Sequence, residues 1–251
     1  MARQKGLHKI LGTIGDATYS KTQDGYQVKE KSEISASKFA TADSMARTRE
    51  NAAEFGRAGK AGKLFRLAVR GVLKYGKDSR VTSRLLKELM KVIKADATST
   101  RGMRNVLDGE TELLEGFEFN KNGTLSMTFP VEYVPAIDRV TGQLTIAIPS
   151  FIPQEDIIAP DGTTHFKIVS AGSEIDFENN TFNTSESSSA VLPLNTVATA
   201  VLNLANAVTA NSTHPLFLLL GIQFFQQVNG VNYPLKNGAF NALSLVKVSG
   251  V

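Results

Sequence analysis

The feature that most constrains the fold is residues 47–94, RTRENAAEFGRAGKAGKLFRLAVRGVLKYGKDSRVTSRLLKELMKVIK. At about 100° per residue on a helix, Val81, Leu85, Leu86, Leu89, Met90, Val92 and Ile93 fill one side. Arg80, Arg84, Lys87, Lys91 and Lys94 fill the other. The preceding segment repeats the pattern, with Ala61, Leu64, Phe65, Ala68, Val69, Val72 and Tyr75 opposite Lys63, Arg66, Arg70 and Lys74. Asp78 or Ser79 can cap the second helix, since either side chain accepts from free first-turn amides. Helices of this kind bury their apolar side. Two basic stripes are then expected to face water or an acidic partner.

The net charge of +4 conceals a division along the chain. Residues 1–107 hold 23 Lys and Arg against 10 Asp and Glu, or +13; residues 108–251 hold 5 against 14, or −9. Such asymmetry points to an anionic partner for the basic half, or to subunits that attract one another head to tail. Mutual neutralisation within one chain is the simpler alternative. The 251 residues suffice for one large domain or two modest ones, and no cysteine is present for disulfides or thiolate metal sites. His8 and Lys9 interrupt the only stretch resembling a leader, and the longest apolar run, near residues 216–225, is shorter than a bilayer span. A soluble, cytoplasmic location is the expectation.

Residues 11–31 predict a hairpin turning at Asp24-Gly25, with Tyr19, Tyr26 and Val28 on one face. Two strands alone are marginal, so this arm needs a surface to lie on. Residues 32–44 read as a linker with a weak helix, followed by a helix over 44–55 and the small, basic run GRAGKAGK. Beyond residue 100 the pattern turns to strands, expected at 117–120, 124–129, 143–149, 165–171, 173–177, 216–228, 231–235 and 242–248, with 197–208 also read as strand. SESSS at 185–189 reads as a loop. The fold class expected is α+β: an N-terminal β-hairpin arm (1–45), a basic helical module (46–107) and an acidic antiparallel β-sandwich (108–251).

The stretches GTIGDATYSKTQDGYQVKEK, RTRENAAEFGRAGKAGKLFR and THPLFLLLG resemble an uncharacterised family of hypothetical bacterial proteins of similar length. That resemblance covers the whole chain and implies a bacterial or bacterial-virus source. It carries over no activity, ligand or functional residue.

Motifs for chemistry fail on spacing. GRAGKAGK has five residues between Gly56 and Gly62, and Leu64 stands where a phosphate loop needs its hydroxyl. Its small residues suit a close helix approach or a hinge instead. His8, His165 and His214 lack metal-ligand spacing. Glu174, Asp176 and Glu178 alternate and read as one solvated acidic face, a candidate counterpart for the basic stripes. No catalytic group, metal, cofactor or small-molecule substrate is therefore expected, and the chain reads as non-enzymatic. The leading expectation is a self-assembling structural subunit of a filament, tube, shell or virion-like particle, with copies of itself as partner. Nucleic-acid binding or packaging through the basic helices is the alternative, although no helix-turn-helix, zinc-finger or aromatic RNA-binding pattern accompanies them. An enzyme or carbohydrate-binding sandwich is a third class and leaves no motif.

Overall fold

The computed structural model describes residues 2–22, 24–31 and 34–250. They divide into two compact units, 1–50 and 51–251. In the first, strands β1 (Ala2–Arg3), β2 (Gly12–Ile14), β3 (Ala17–Thr22) and β4 (Gly25–Glu30) form an antiparallel sheet in the order β1-β4-β3-β2. The expected hairpin is thus present as β3–β4 and is extended by one strand on each side. Its closing pair is Thr22 with Gly25, which puts Asp24 in the loop and Gly25, at φ +105°, at the start of β4. Gln23 lies outside the described residues, as do Ser32 and Glu33 of the expected linker. Helix α1 (Ala36–Thr41) begins at Ser35, whose hydroxyl accepts from the Lys38 amide. Arg49 then ties the end of α1 down by donating to the Phe39 and Ala42 carbonyls at 2.8 and 2.9 Å.

Helix α2 (Ala46–Ala68) runs unbroken through GRAGKAGK. No hinge forms there; Ala58, Ala61 and Gly62 are buried, and a Cβ on Gly62 would stand 3.1 Å from the Leu89 side chain. Ala58, Ala61 and Gly62 serve close approach, whereas Gly56 and Gly59 are exposed with nothing near them. A bend at Val69 separates α2 from α3 (Arg70–Leu73), and α4 (Val81–Ala95) follows. The apolar sides expected from the sequence are the buried ones, except that Tyr75 is exposed and Leu86 and Met90 are half-buried.

The rest of this unit contains α5 (Leu125–Thr128), β5 (Val134–Asp138), β6 (Gln143–Ile148), α6 (Pro153–Asp156), β7 (His165–Asp176), β8 (Thr181–Ser188), β9 (Leu192–Pro193), β10 (Leu202–Ala207), β11 (Leu216–Val228), β12 (Val231–Pro234) and β13 (Ala242–Ser249). β11 and β7 form the antiparallel centre of a six-stranded sheet, with β12 and β13 flanking β11 and β8 and β9 flanking β7. Strands β10, β6 and β5 make a second, three-stranded sheet. Side chains of the large sheet alternate between two cores. Val169, Ala171, Phe217, Leu219, Leu243 and Leu245 pack with the helices, where Phe65 meets Phe217 edge-on at 5.0 Å. Phe166, Ile168, Leu218, Leu220 and Ile222 pack with Leu144, Ile146 and Ile148 of the small sheet. The unit is a β-sandwich carrying a helical layer, an α+β architecture as expected. Because helices and strands share the first core, the charge boundary near residue 107 is not a packing boundary.

Several strand expectations change for local reasons. Residues 124–129 make a helical turn, not a strand: Leu125 and Phe129, four apart, are buried while Met127 is 72% exposed. Residues 117–120 only border β13, through the amide of Phe119 to Leu243 and that of Leu245 to Phe117. The two segments expected over 165–177 are one strand, since Gly172 makes room for Asn206, whose Cβ would lie 2.8 Å from a Cβ there. Part of SESSS belongs to β8, paired along β7. β5 was masked by Pro135, which an edge strand tolerates. The AsnGly at 229–230 does form the tight turn between β11 and β12, with φ of +51° and +78°.

Candidate functional site

The N-terminal sheet has two unlike faces. Tyr19 stands directly opposite Val28, and Lys21 opposite Tyr26; Ala2, Gly12, Ile14 and Ala17 fall on the same side by register. Tyr19, Tyr26 and Val28 therefore share a face, as expected. The reverse face carries Arg3, Thr13, Thr18, Ser20, Gln27 and Lys29. The ammonium groups of Lys9 and Lys21 lie 5.8 and 5.6 Å from the Tyr26 ring centroid, close enough for cation–π attraction. Yet not one described residue of the 1–50 unit is buried. Leu7 is 94% and Leu11 62% exposed, and Ile10, Ile14 and Ile34 are exposed as well. A sheet with an apolar face and no core is incomplete by the ordinary requirements of folding.

The basic stripes are only partly free. Lys63, Arg70, Lys74, Arg80, Lys87, Lys91 and Lys94 are exposed. Lys91 pairs within its helix to Glu88 at 2.5 Å. Arg66 is half-buried, and desolvation lowers the affinity of its guanidinium for a proton. Arg84 departs from the expectation altogether. Its guanidinium is salt-bridged to Asp78 and donates to the Glu118 and Phe119 carbonyls at 2.5 and 3.0 Å, and it stacks 5.1 Å from the Phe117 ring. It stands one turn past Val81, at the edge of the apolar stripe, where a long side chain reaches the loop next to it. Asp78 also accepts from the Arg80 and Lys121 amides. Burial pushes its carboxyl up, but these bonds and Arg84 outweigh that and hold it below the ordinary range.

The acidic face is a second correction. Alternation does put Glu174 and Asp176 on one side of β7, but both are buried. Glu174 accepts from the Ser212 hydroxyl at 2.5 Å and the Thr209 amide at 3.2 Å. Asp176 accepts from the Glu178 and Asn179 amides and the Asn179 side chain, and lies 3.8 Å from His214. These carboxylates close the turn after β7 and anchor the 209–214 loop. Only Glu178, beyond the strand end, is exposed. Burial opposes ionisation of Glu174, yet its bonds leave the carboxyl below its ordinary value; for Asp176 the bonds from Asn179 dominate, with the same result.

The structure also contains a feature that no sequence pattern announces. Beyond the edge of the helical layer the large sheet continues as a shelf. Between that shelf, the end of α3 and the turn after β12 lies a cleft of about 890 Å3. Its walls come from α3, β7, β8, β11 and β12, so its residues are scattered over most of the sequence. Among the described residues no group of three or more His, Cys, Asp or Glu is arranged to hold a metal ion, and no helix is long and apolar enough to cross a membrane. Comparison with protein-family models, curated proteins and solved structures finds no match to this chain.

Proposed function

We propose that the chain is a self-assembling structural subunit, of a filament, tube, shell or virion-like particle, in which the 1–50 unit is covered by another copy. The observation that carries this reading is the coreless four-stranded sheet, with its apolar face of Ile14, Tyr19, Tyr26 and Val28 and its exposed Leu7 and Leu11. Apolar side chains grouped on one sheet face and its neighbouring loop suit a contact surface. A second copy suits it because residues 1–31 carry six Lys and Arg against three Asp and Glu, while residues 108–251 carry −9. A contact between unlike surfaces of identical chains repeats from subunit to subunit.

Size-exclusion chromatography with light scattering tests this on the 251-residue chain, on a chain lacking residues 2–31, and on Tyr19→Ser/Val28→Ser. The full chain is expected as a multimer and both variants as smaller species with unchanged circular dichroism from the 51–251 unit. A monomeric full chain at micromolar concentration, or assembly unaffected in both variants, overturns the reading. Nucleic-acid packaging draws on the seven exposed cations of the helices. It ranks second because Arg84 is spent inside the fold and Lys91 is paired.

A further inference from the structure

We propose that the 890 Å3 cleft on the shelf of the large sheet binds a neutral, polyhydroxylated ligand, a saccharide, through Glu186, Gln223 and Lys167 over an apolar floor.

The size falls within the range of about 300–1,000 Å3 that small-molecule sites occupy. The chemistry of the walls narrows the ligand. Register puts Lys167, Val169, Gln223, Phe225, Asn232, Glu186 and Ser188 on the helix-facing side of the sheet, and so toward the cleft. One acceptor there lacks a donor. The Glu186 carboxylate makes no ion pair or hydrogen bond among the described residues, although Lys74 and Lys167 line the same cleft. Donors are also present, in the two ammonium groups and the Gln223 amide. An anion would satisfy the lysines but face the Glu186 carboxylate. A cation would face both lysines. A hydroxyl group donates and accepts at once and carries no charge, so it meets every group in the set.

The apolar part has the matching form. Val72 and Val169 are buried in the floor, while Tyr75 is exposed at the rim, so the C–H face of a sugar ring has both a bed and an aromatic edge. The turn closing the cleft holds Lys236 and Asn237 at φ of +44° and +53°, a conformation that non-glycine residues adopt at a cost and that clusters at binding sites.

Gly71 supplies a clean perturbation. A Cβ there would fall 1.8 Å from the Glu186 Oε1 atom, so Gly71→Ala must displace that carboxylate while favouring the helix it sits in. The test is saturation-transfer NMR with glucose, galactose, mannose, N-acetylglucosamine, maltose, cellobiose and lactose, followed by amide mapping of any probe that binds. At least one probe is expected to bind with millimolar affinity and to shift the amides of Lys167, Gln223 and Asn232. Gly71→Ala and Gln223→Leu, each checked by thermal melting, are expected to weaken it about tenfold, or ~1.4 kcal/mol. The proposal is overturned if no probe binds, if the shifts map elsewhere, if both variants bind as the parent does, or if phosphate or putrescine occupies the cleft and the sugars do not.

Discussion

Replacing Arg84 with alanine separates an internal clamp from a surface charge. The side chains of Arg84 and Asp78 are 19% and 10% exposed, so solvent screens their pair little. The substitution removes the ion pair and two donors to the Glu118 and Phe119 carbonyls. Losing one member of a buried pair costs about 3–5 kcal/mol, because the remaining charge is left desolvated. Asp78 keeps the Arg80 and Lys121 amides, however, at 2.7 and 3.1 Å, and the Arg84 Nε has no partner to lose. The expected loss is therefore about 2–4 kcal/mol. Lys87→Ala and Lys94→Ala, exposed positions on the same helix, should stay within ~0.5 kcal/mol of the parent. Urea unfolding with a constant m-value reads all three, and a double-mutant cycle with Asp78→Asn isolates the pair, with an expected coupling of about 1–3 kcal/mol. An Arg84→Ala effect no larger than that of Lys87→Ala, or a coupling of zero, refutes the assignment.

Three further outcomes follow from the packing. Gly172→Ala should destabilise by about 1–3 kcal/mol, since the added methyl meets Asn206 at 2.8 Å and Leu144 at 3.2 Å between the sheets; a neutral melting temperature would contradict the close approach. The buried Asn206 side chain donates to Ser170 Oγ while its own Oδ1 has no partner, so Asn206→Leu combined with Ser170→Ala should be less destabilising than Ser170→Ala alone, measured by urea unfolding. Glu54, Asp78, Asp96, Glu174 and Asp176 all have lowered folded-state values, so they bind fewer protons folded than unfolded near the ordinary carboxylate range. Their stabilisation is fully present above that range and is lost as pH falls through it toward the folded values, which acid titration of the melting temperature would reveal; a melting temperature flat from pH 6 to about 3 would contradict the sign.

What the sequence made legible was periodicity, and what it hid was context. The apolar sides of α2 and α4 and the long central β11 followed from spacing alone, because each buries a full face. The hairpin partners Tyr19 and Val28 were legible for the same reason. β8 was not, since TFNTSESS lies along a sheet edge and its order comes from the backbone of β7. Arg84 and Glu174 were misplaced by an assumption that charge seeks water. Spacing puts Arg84 beside a stripe and Glu174 on a face, but neither shows the carbonyls of Glu118 and Phe119 or the hydroxyl of Ser212 that await them. The cleft was invisible because five elements far apart in sequence build it.

The division of charge and the division of packing do not coincide, and this alters what would drive the proposed assembly. Read along the chain, +13 meets −9 at residue 107, which suggests electrostatic joining of copies. In the fold the cationic helices share a core with the strands, so the two charge halves belong to one packing unit over residues 51–251. The acids first suited to a partner, Glu174 and Asp176, are turned inward to hold loops. What has no core is the 1–50 unit, whose 9 Lys and Arg against 6 Asp and Glu leave only +3 but whose sheet presents half-buried Tyr19, Tyr26 and Val28 beside an exposed Ile14. Apolar burial is unscreened by salt, whereas attraction between exposed charges fades beyond about 8 Å at physiological ionic strength. Assembly led by that sheet should therefore persist at high salt, and charge is left to choose which surface of the neighbour it meets.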